Sequence, residues 1–111
     1  MAASRKFVDQ KIKQRKVLMF AKAWCSECKQ AIKILNEYKM PPDTFEVLNI
    51  DSRQDCSKIE DYFQVLCLTD RRNVPRLFID GNHIGDLEVI RRMHEDNRLR
   101  ETLIESEAIK S

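Results

Sequence analysis

Two cysteines separated by two residues, Cys25 and Cys28, are the part of this 111-residue chain best suited to chemistry. A pair at this spacing can cycle between two thiols and a disulfide, and the thiolate form is the nucleophile in such exchange. The spacing therefore favours a redox centre. Cys25 is the expected nucleophile, and Cys28, one helical turn further on, is the expected resolving thiol.

Two other uses of the cysteine pair are weaker. A structural zinc site needs four ligands, and the remaining candidates are scattered singly along the chain: Cys56, Cys67, His83 and His94. A structural disulfide needs an oxidising compartment, and nothing in the sequence marks the chain as secreted. We therefore expect no bound metal, and we expect the other two cysteines to be free, partly buried thiols that do not bridge each other.

The segments on both sides of the pair predict how it is positioned. Val17 to Ala21 is a short apolar run that begins with a β-branched residue, which is typical of a strand buried on both faces. After the pair, apolar residues recur at helical spacing from a start near Ser26. Cys25 is thus expected in the first turn of a helix, where unpaired N–H groups and the helix dipole favour a thiolate.

Periodicity and turn residues predict the order α, β, α, β, α, β, β, α for the whole chain. The second strand is predicted over Thr44 to Ile50. Asp51 and Ser52 follow it directly and are the predicted caps of the next helix. The stretch from Leu87 to Ile109 has apolar residues at helical spacing and predicts one or two helices.

The last two strands are predicted to form a hairpin. The residue pattern places them over 76–80 and 83–85, with Gly81 and Asn82 as the turn between them. A Val-Pro dipeptide, Val74-Pro75, directly precedes the first of these strands.

Composition bounds the remaining possibilities. The chain has 20 Lys and Arg against 18 Asp and Glu, a formal net charge of +2, and the two signs are interleaved, so no basic stripe suggests nucleic acid. No segment is long and apolar enough to cross a bilayer, and the first residues lack the apolar stretch of a secretory signal. We expect a single domain over residues 1–111, monomeric and cytoplasmic, that binds neither nucleic acid nor membrane.

With these residues in view, the chain resembles the glutaredoxins, small members of the thioredoxin-like superfamily. The resemblance is carried by Lys22 three residues before Cys25, by the C-x-x-C pair, by Ile59-Glu60-Asp61-Tyr62, and by the run from Val74 to Gly85. It implies an α/β thioredoxin-like fold, a four-stranded mixed sheet flanked by helices. It also implies a cis peptide bond at Val74-Pro75, beside the thiols.

The resemblance implies a function as well. A dithiol-type glutaredoxin is a glutathione-dependent thiol–disulfide oxidoreductase that reduces protein disulfides and glutathione mixed disulfides and supports cell redox homeostasis. Glutathione is then the co-substrate, and protein disulfides or glutathionylated proteins are the partners. Cys25 attacks the disulfide, and free glutathione or Cys28 resolves the intermediate. The residues implied to bind glutathione are Lys22, Asn73, Val74, Pro75, Gly85 and Asp86.

Several positions depart from the family pattern toward acidic residues: Glu27, Glu60, Asp86 and Glu88. Carboxylates within about 8–10 Å of one another would make the groove acidic and oppose glutathione, which is itself an anion; the alternative is that these acids point into solvent. We hypothesise a divergent glutaredoxin with weakened glutathione affinity and a preference for basic or protein disulfides. Replacing Glu60→Gln together with Glu88→Ser would then lower the KM for a glutathione mixed disulfide.

Two further functions remain open from the sequence. Trp24 precedes the first cysteine, as a tryptophan does in thioredoxins, so a thioredoxin-like protein disulfide reductase with weak glutathione dependence is one alternative. A non-catalytic, redox-sensing binding module is the other. The electron donor distinguishes the first alternative from a glutaredoxin, and the second predicts that Cys25→Ser leaves function intact.

Overall fold

The computed structural model describes residues 2–110, and Met1 and Ser111, the two ends of the predicted domain, lie outside the described residues. The helices and strands follow the predicted order, and the stretch after residue 86 forms two helices. Their bounds are α1 (Ala2–Gln14), β1 (Val17–Ala21), α2 (Ser26–Asn36), β2 (Phe45–Asn49), α3 (Cys56–Leu66), β3 (Arg76–Ile79), β4 (Asn82–Gly85), α4 (Leu87–Glu95) and α5 (Arg98–Glu105).

The described strands form one mixed sheet in the order β2-β1-β3-β4. β1 pairs with β2 in parallel and with β3 in antiparallel, so Met19 lies opposite Val47 on one side and Leu77 on the other. β3 and β4 pair as an antiparallel hairpin. The predicted fold class, an α/β thioredoxin-like sheet of four strands flanked by helices, is confirmed.

β1 is buried on both faces, as its continuous apolar run predicts. Leu18 and Phe20 pack on the side of α1 and α3, whereas Val17 and Met19 pack on the side of α2, α4 and α5, because successive side chains of a strand point to opposite faces. The ring of Phe20 lies 5.2 Å from that of Phe63. The two cores thus pack against both faces of β1, whose carboxyl end leads into the loop that carries Cys25.

The predicted caps of the third helix are wrong. α3 begins at Cys56 with Asp55 at its N-cap, several residues after Asp51. The side chain of Asp51 instead accepts a hydrogen bond from the backbone N–H of Ala23 at 3.1 Å. The carboxylate is thus used to tie the loop before the thiols to the loop after β2, a long-range contact that a local cap pattern does not encode.

The predicted hairpin turn is displaced by one residue. The turn consists of Asp80 and Gly81, with φ +52° and +83°, and Asn82 is already the first residue of β4. A two-residue turn in which both residues have positive φ matches the twist of the flanking strands, and Asp-Gly is a favoured sequence for it.

The described part of the chain also bears on membranes, metals and disulfides. None of its helices has the length and apolar character needed to traverse a bilayer. In the same part, no three His, Cys, Asp or Glu side chains are grouped so that they could hold a metal ion. All four cysteines are free thiols, and Cys56 and Cys67 are partly buried, as predicted.

Candidate active site

Cys25 occupies the N-cap of α2, directly before the predicted start of the helix. Its backbone is extended, with φ −82° and ψ 115°, and its Sγ accepts a hydrogen bond from the backbone N–H of Cys28 at 3.1 Å. At most helix starts an oxygen of Ser, Thr, Asp or Asn accepts this bond. Here the Cys25 sulfur takes the place of that oxygen, so the start of the helix fixes the position of the sulfur at the surface end of α2.

Cys28 lies deeper, as predicted, and only 1% of it is exposed. Burial, followed by the hydrogen bond with Cys25, raises the pKa of the Cys28 thiol to about 12. Cys28 therefore holds its proton at neutral pH, whereas the half-buried Cys25 can meet a substrate. The two thiols of the pair are chemically unequal, with the nucleophile outside and the protonated thiol inside.

The segment Val74-Pro75 lies beside the nucleophile. Its peptide bond is cis, which confirms the expectation from the sequence. The Sγ of Cys25 is 4.0 Å from the carbonyl oxygen of Val74. A substrate sulfur bonded to Cys25 therefore lies next to the backbone of Val74, where an extended peptide could pair with it.

Lys22 is paired with a carboxylate and does not point freely toward a substrate. Its Nζ donates to Glu60 Oε2 at 2.7 Å, and both side chains are more than four-fifths buried. The hydrogen bond to Glu60 raises the pKa of Lys22 above its ordinary value. The Nζ also lies 5.6 Å from the ring centroid of Trp24, which is 72% exposed beside the thiols.

Asn73, which was expected to bind glutathione, uses both ends of its amide within the protein. Its Oδ1 accepts from Arg76 Nη2 at 2.8 Å and its Nδ2 donates to Asp86 Oδ2 at 3.4 Å, while its backbone carbonyl accepts from Arg76 Nε at 2.9 Å. Its side chain thus positions the loop before Val74. The sequence did not single out Arg76. A charged residue at the head of a fully buried strand was the feature that could have indicated its role.

Gly85 is the last residue of β4, and Asp86 is the N-cap of α4. A Cβ on Gly85 would lie 2.7 Å from Cβ of Val89, so only glycine permits this close approach. Asp86 caps the helix by accepting from the backbone N–H of Val89, and Arg71 Nη1 lies 3.4 Å from its Oδ2. Burial opposes ionisation of Asp86. Hydrogen bonds from Asn73 and Val89, together with the charges of Arg76 and Arg71, outweigh burial and hold the pKa of Asp86 below its ordinary value.

The sequence predicted a groove made acidic by four carboxylates. In the structure, three of these carboxylates have a cationic partner. Glu60 is paired with Lys22, and Asp86 with Arg71. Glu88 is paired with Arg92 at 3.0 Å and is 69% exposed, so it contributes little to the field in the groove. Glu27 is exposed in the first turn of α2. Repulsion of an anionic substrate by unpaired acids is therefore weaker than the sequence suggested.

The fold and the arrangement of the two thiols together indicate the class of protein to which this chain belongs. A thioredoxin-like sheet carries an accessible thiol at a helix N-cap, a buried second thiol three residues on, and a cis-proline segment within 4.0 Å of the first sulfur. This arrangement performs thiol–disulfide exchange, in which the outer sulfur attacks a disulfide and becomes part of a mixed disulfide.

Comparison with known proteins narrows the class to one family. The Glutaredoxin family model matches residues 17–84. Glutaredoxin-1 of Gallus gallus is 38% identical over 89 residues, which cover 80% of this chain and 83% of that protein. Glutaredoxin-1 of Oryctolagus cuniculus is 33% identical over 107 residues, covering 96% and 99%. The chain belongs to the glutaredoxin family, and it is a thiol–disulfide oxidoreductase.

Solved structures agree with this assignment. Oxidized glutaredoxin 2 from Chlamydomonas reinhardtii superposes with a TM-score of 0.83 at 26% identity, and 97% of each chain is covered. A buckwheat glutaredoxin in complex with glutathione superposes with a TM-score of 0.84 at 25% identity, covering 97% of this chain and 94% of that one. The identification made from the sequence is confirmed.

Proposed function

We propose that this protein reduces mixed disulfides between glutathione and protein cysteines by a route that needs only one of its two active-site thiols. The Cys25 thiolate attacks the glutathione sulfur, and the protein thiolate leaves with the electron pair of the broken S–S bond. A second glutathione thiolate then attacks the mixed disulfide on Cys25. The products are glutathione disulfide and the regenerated Cys25 thiolate, so the electrons come from glutathione.

The inequality of the two thiols is the observation that carries this proposal. Cys25 is half-buried and hydrogen-bonded at the start of α2. Cys28 is buried and its pKa is raised to about 12. Cys28 is buried and a protonated thiol is a slow nucleophile. We therefore expect free glutathione, which approaches from solvent, to resolve the intermediate faster than Cys28 does. Reduction of protein disulfides through Cys28 is the slower, second route.

Glutathione is proposed as the co-substrate on two grounds. The related buckwheat protein was solved as a complex with glutathione, and the backbone of Val74 lies beside Cys25 here. The proposed binding surface consists of that backbone, the adjoining Asn73 and Pro75, the junction of β4 and α4 at Gly85 and Asp86, and Lys22. A reduced glutathione pool is available in the cytoplasm, where we propose that the protein acts as a monomer.

The test is steady-state reduction of a glutathionylated peptide, with glutathione and glutathione reductase as the electron supply. We expect Cys25→Ser to abolish turnover. Cys28→Ser should retain activity within about threefold of the native protein, because resolution does not pass through Cys28.

Two results would contradict the proposal. Loss of turnover in Cys28→Ser would show that the second thiol is required. Turnover with thioredoxin reductase but not with glutathione would favour the thioredoxin-like reductase, for which the exposed Trp24 offers an apolar contact to polypeptides.

A further inference from the structure

The cations that border the active-site groove are already neutralised by carboxylates of the protein. Lys22 is bonded to Glu60 at 2.7 Å. Arg72 lies 3.0 Å from Asp61 and 3.9 Å from Glu60, which is therefore shared between two cations. Arg71, the neighbour of Arg72 in the loop before Val74, is paired with Asp86. In residues 2–110, each of these three groove cations thus has an acidic partner.

A bound substrate brings its end groups to these ion pairs. Its cysteine sulfur must reach Cys25, and its backbone then extends past Val74 at about 3.3 Å per residue. The ends of a tripeptide accordingly lie within two residues of the sulfur, on either side of Val74. Glutathione carries a carboxylate at each end, whereas a cysteine inside a polypeptide has neutral amide groups at the same distance.

The ion pair between Lys22 and Glu60 affects a substrate with a free carboxylate differently from a substrate with a neutral amide group. A substrate carboxylate that binds the Nζ of Lys22 must either lie beside Glu60, whose like charge repels it, or displace Glu60, whose side chain is 16% exposed. Displacement would leave Glu60 with one weaker cationic neighbour, Arg72, in a partly buried position, which is unfavourable for a carboxylate. A neutral amide group leaves the pair intact.

We propose that Glu60 is a specificity-determining residue that removes the advantage of a free carboxylate on the substrate. The site then accepts cysteines flanked by amide groups, which are the internal cysteines of polypeptides, at least as well as glutathione itself. The inference rests on the proposed function only in that Cys25 is the attacking thiol.

The probe is a pair of disulfides that differ in one charge per half. We would measure the rate at which Cys25 becomes thiolated in the Cys28→Ser protein, using glutathione disulfide or the disulfide of glutathione ethyl ester, in which the glycyl carboxylate is neutral. Acid quenching and intact mass give the rate constants. We expect the two rates to agree within about twofold.

Glu60→Gln is the decisive variant. It frees Lys22, so the rate with glutathione disulfide should rise about fivefold while the rate with the ester changes less than about twofold. The ratio of the two rates is insensitive to any change in the reactivity of Cys25 itself. Glu101→Gln, an exposed acid on α5, is the matched control for net charge and should leave the ratio unchanged.

Two outcomes overturn the inference. One is a native protein that already reacts more than about fivefold faster with glutathione disulfide than with the ester. The other is a Glu60→Gln variant that accelerates both disulfides equally. This measurement is a single reaction at Cys25 and needs no glutathione turnover, so its result is separate from that of the coupled assay.

Discussion

At the scale of the residue, Arg76 shows how a buried charge can serve a binding loop. Only 4% of it is exposed. Its guanidinium donates to the carbonyl and amide oxygens of Asn73 and to the carbonyl of Arg71, and Nη1 lies 3.4 Å from His83 Nε2. Burying a charge is costly unless its hydrogen bonds are made. Here they are made to the loop that presents Val74, so Arg76 acts as a positioning residue.

We expect Arg76→Met to raise the KM for a glutathionylated peptide about fivefold and to change kcat less than about twofold, because the loop loses its support while Cys25 is untouched. Arg76→Lys should restore part of the loss. Asn73→Ala, a milder change, should act in the same direction. A fall in kcat at constant KM, measured in the coupled assay, would contradict a role in positioning.

For single residues, the predictions from the sequence were right where the interacting residues are close together in the chain. The spacing of Cys25 and Cys28 and the helix start predicted the outer nucleophile and the deeper second thiol. The pairing of Lys22 was not predictable, because Glu60 lies 38 residues away on α3 and meets Lys22 only through the packing of that helix against the sheet.

At the scale of the element, the end of α3 carries a residue that fits its position poorly. Leu68 has φ +52°, directly after the C-cap Cys67, and is 92% exposed. The N–H of Thr69 bonds to the carbonyl of Gln64, which is the pattern of a helix end that usually has glycine at this left-handed position. A leucine there is strained, and its side chain gains nothing by burial.

Leu68→Gly should therefore increase the free energy of unfolding by about 1 kcal/mol, measured by urea denaturation. Leu68→Ala removes the exposed side chain but retains a Cβ at positive φ, so it should stabilise the protein much less. Equal stabilisation by both variants would show that exposure, and not the backbone, is the cause.

The elements themselves followed from the sequence better than their ends did. Periodicity and turn residues predicted the strands and the first three helices in order, and one or two helices for the last stretch, since periodicity reflects which residues face the core. The predicted caps at Asp51 and Ser52 were wrong because the side chain of Asp51 accepts a hydrogen bond from Ala23, in the loop that follows the neighbouring strand β1. Local patterns cannot distinguish a cap from a side chain bonded to a distant loop.

At the scale of the whole molecule, the stability of the fold should depend on pH through His83. This histidine lies on β4 against Phe78 and Arg76. Burial, and then the charge of Arg76, lower its pKa below 6.5. As the pH falls, the unfolded chain therefore takes up a proton at His83 before the folded protein does. The contribution of neutral His83 to stability is thus complete above pH 6.5 and is lost as the pH falls toward the lower pKa of the folded state.

We expect the free energy of unfolding to decrease between about pH 7 and pH 5, and His83→Gln to reduce that decrease. Urea denaturation at a series of pH values measures the slope, and an NMR titration of the His83 ring gives its pKa directly. An unchanged slope in the variant would assign the pH dependence in this range to groups other than His83. The carboxylates of Asp55 and Asp86, whose pKa values lie below their ordinary range, lose their contribution only at lower pH.

The hairpin turn has a consequence for how this protein can be joined to others. Asp80 and Gly81 lie at the end of the sheet opposite the thiols, because β3 runs antiparallel to β1 and away from Pro75. Within residues 2–110, and apart from its two neighbours in the chain, Gly81 has no heavy atom within 4 Å of the place that a Cβ would occupy. A tether, an affinity tag or an inserted domain attached there would extend away from the redox centre, so this turn is a natural point for building fusion proteins that keep the sulfur chemistry unobstructed.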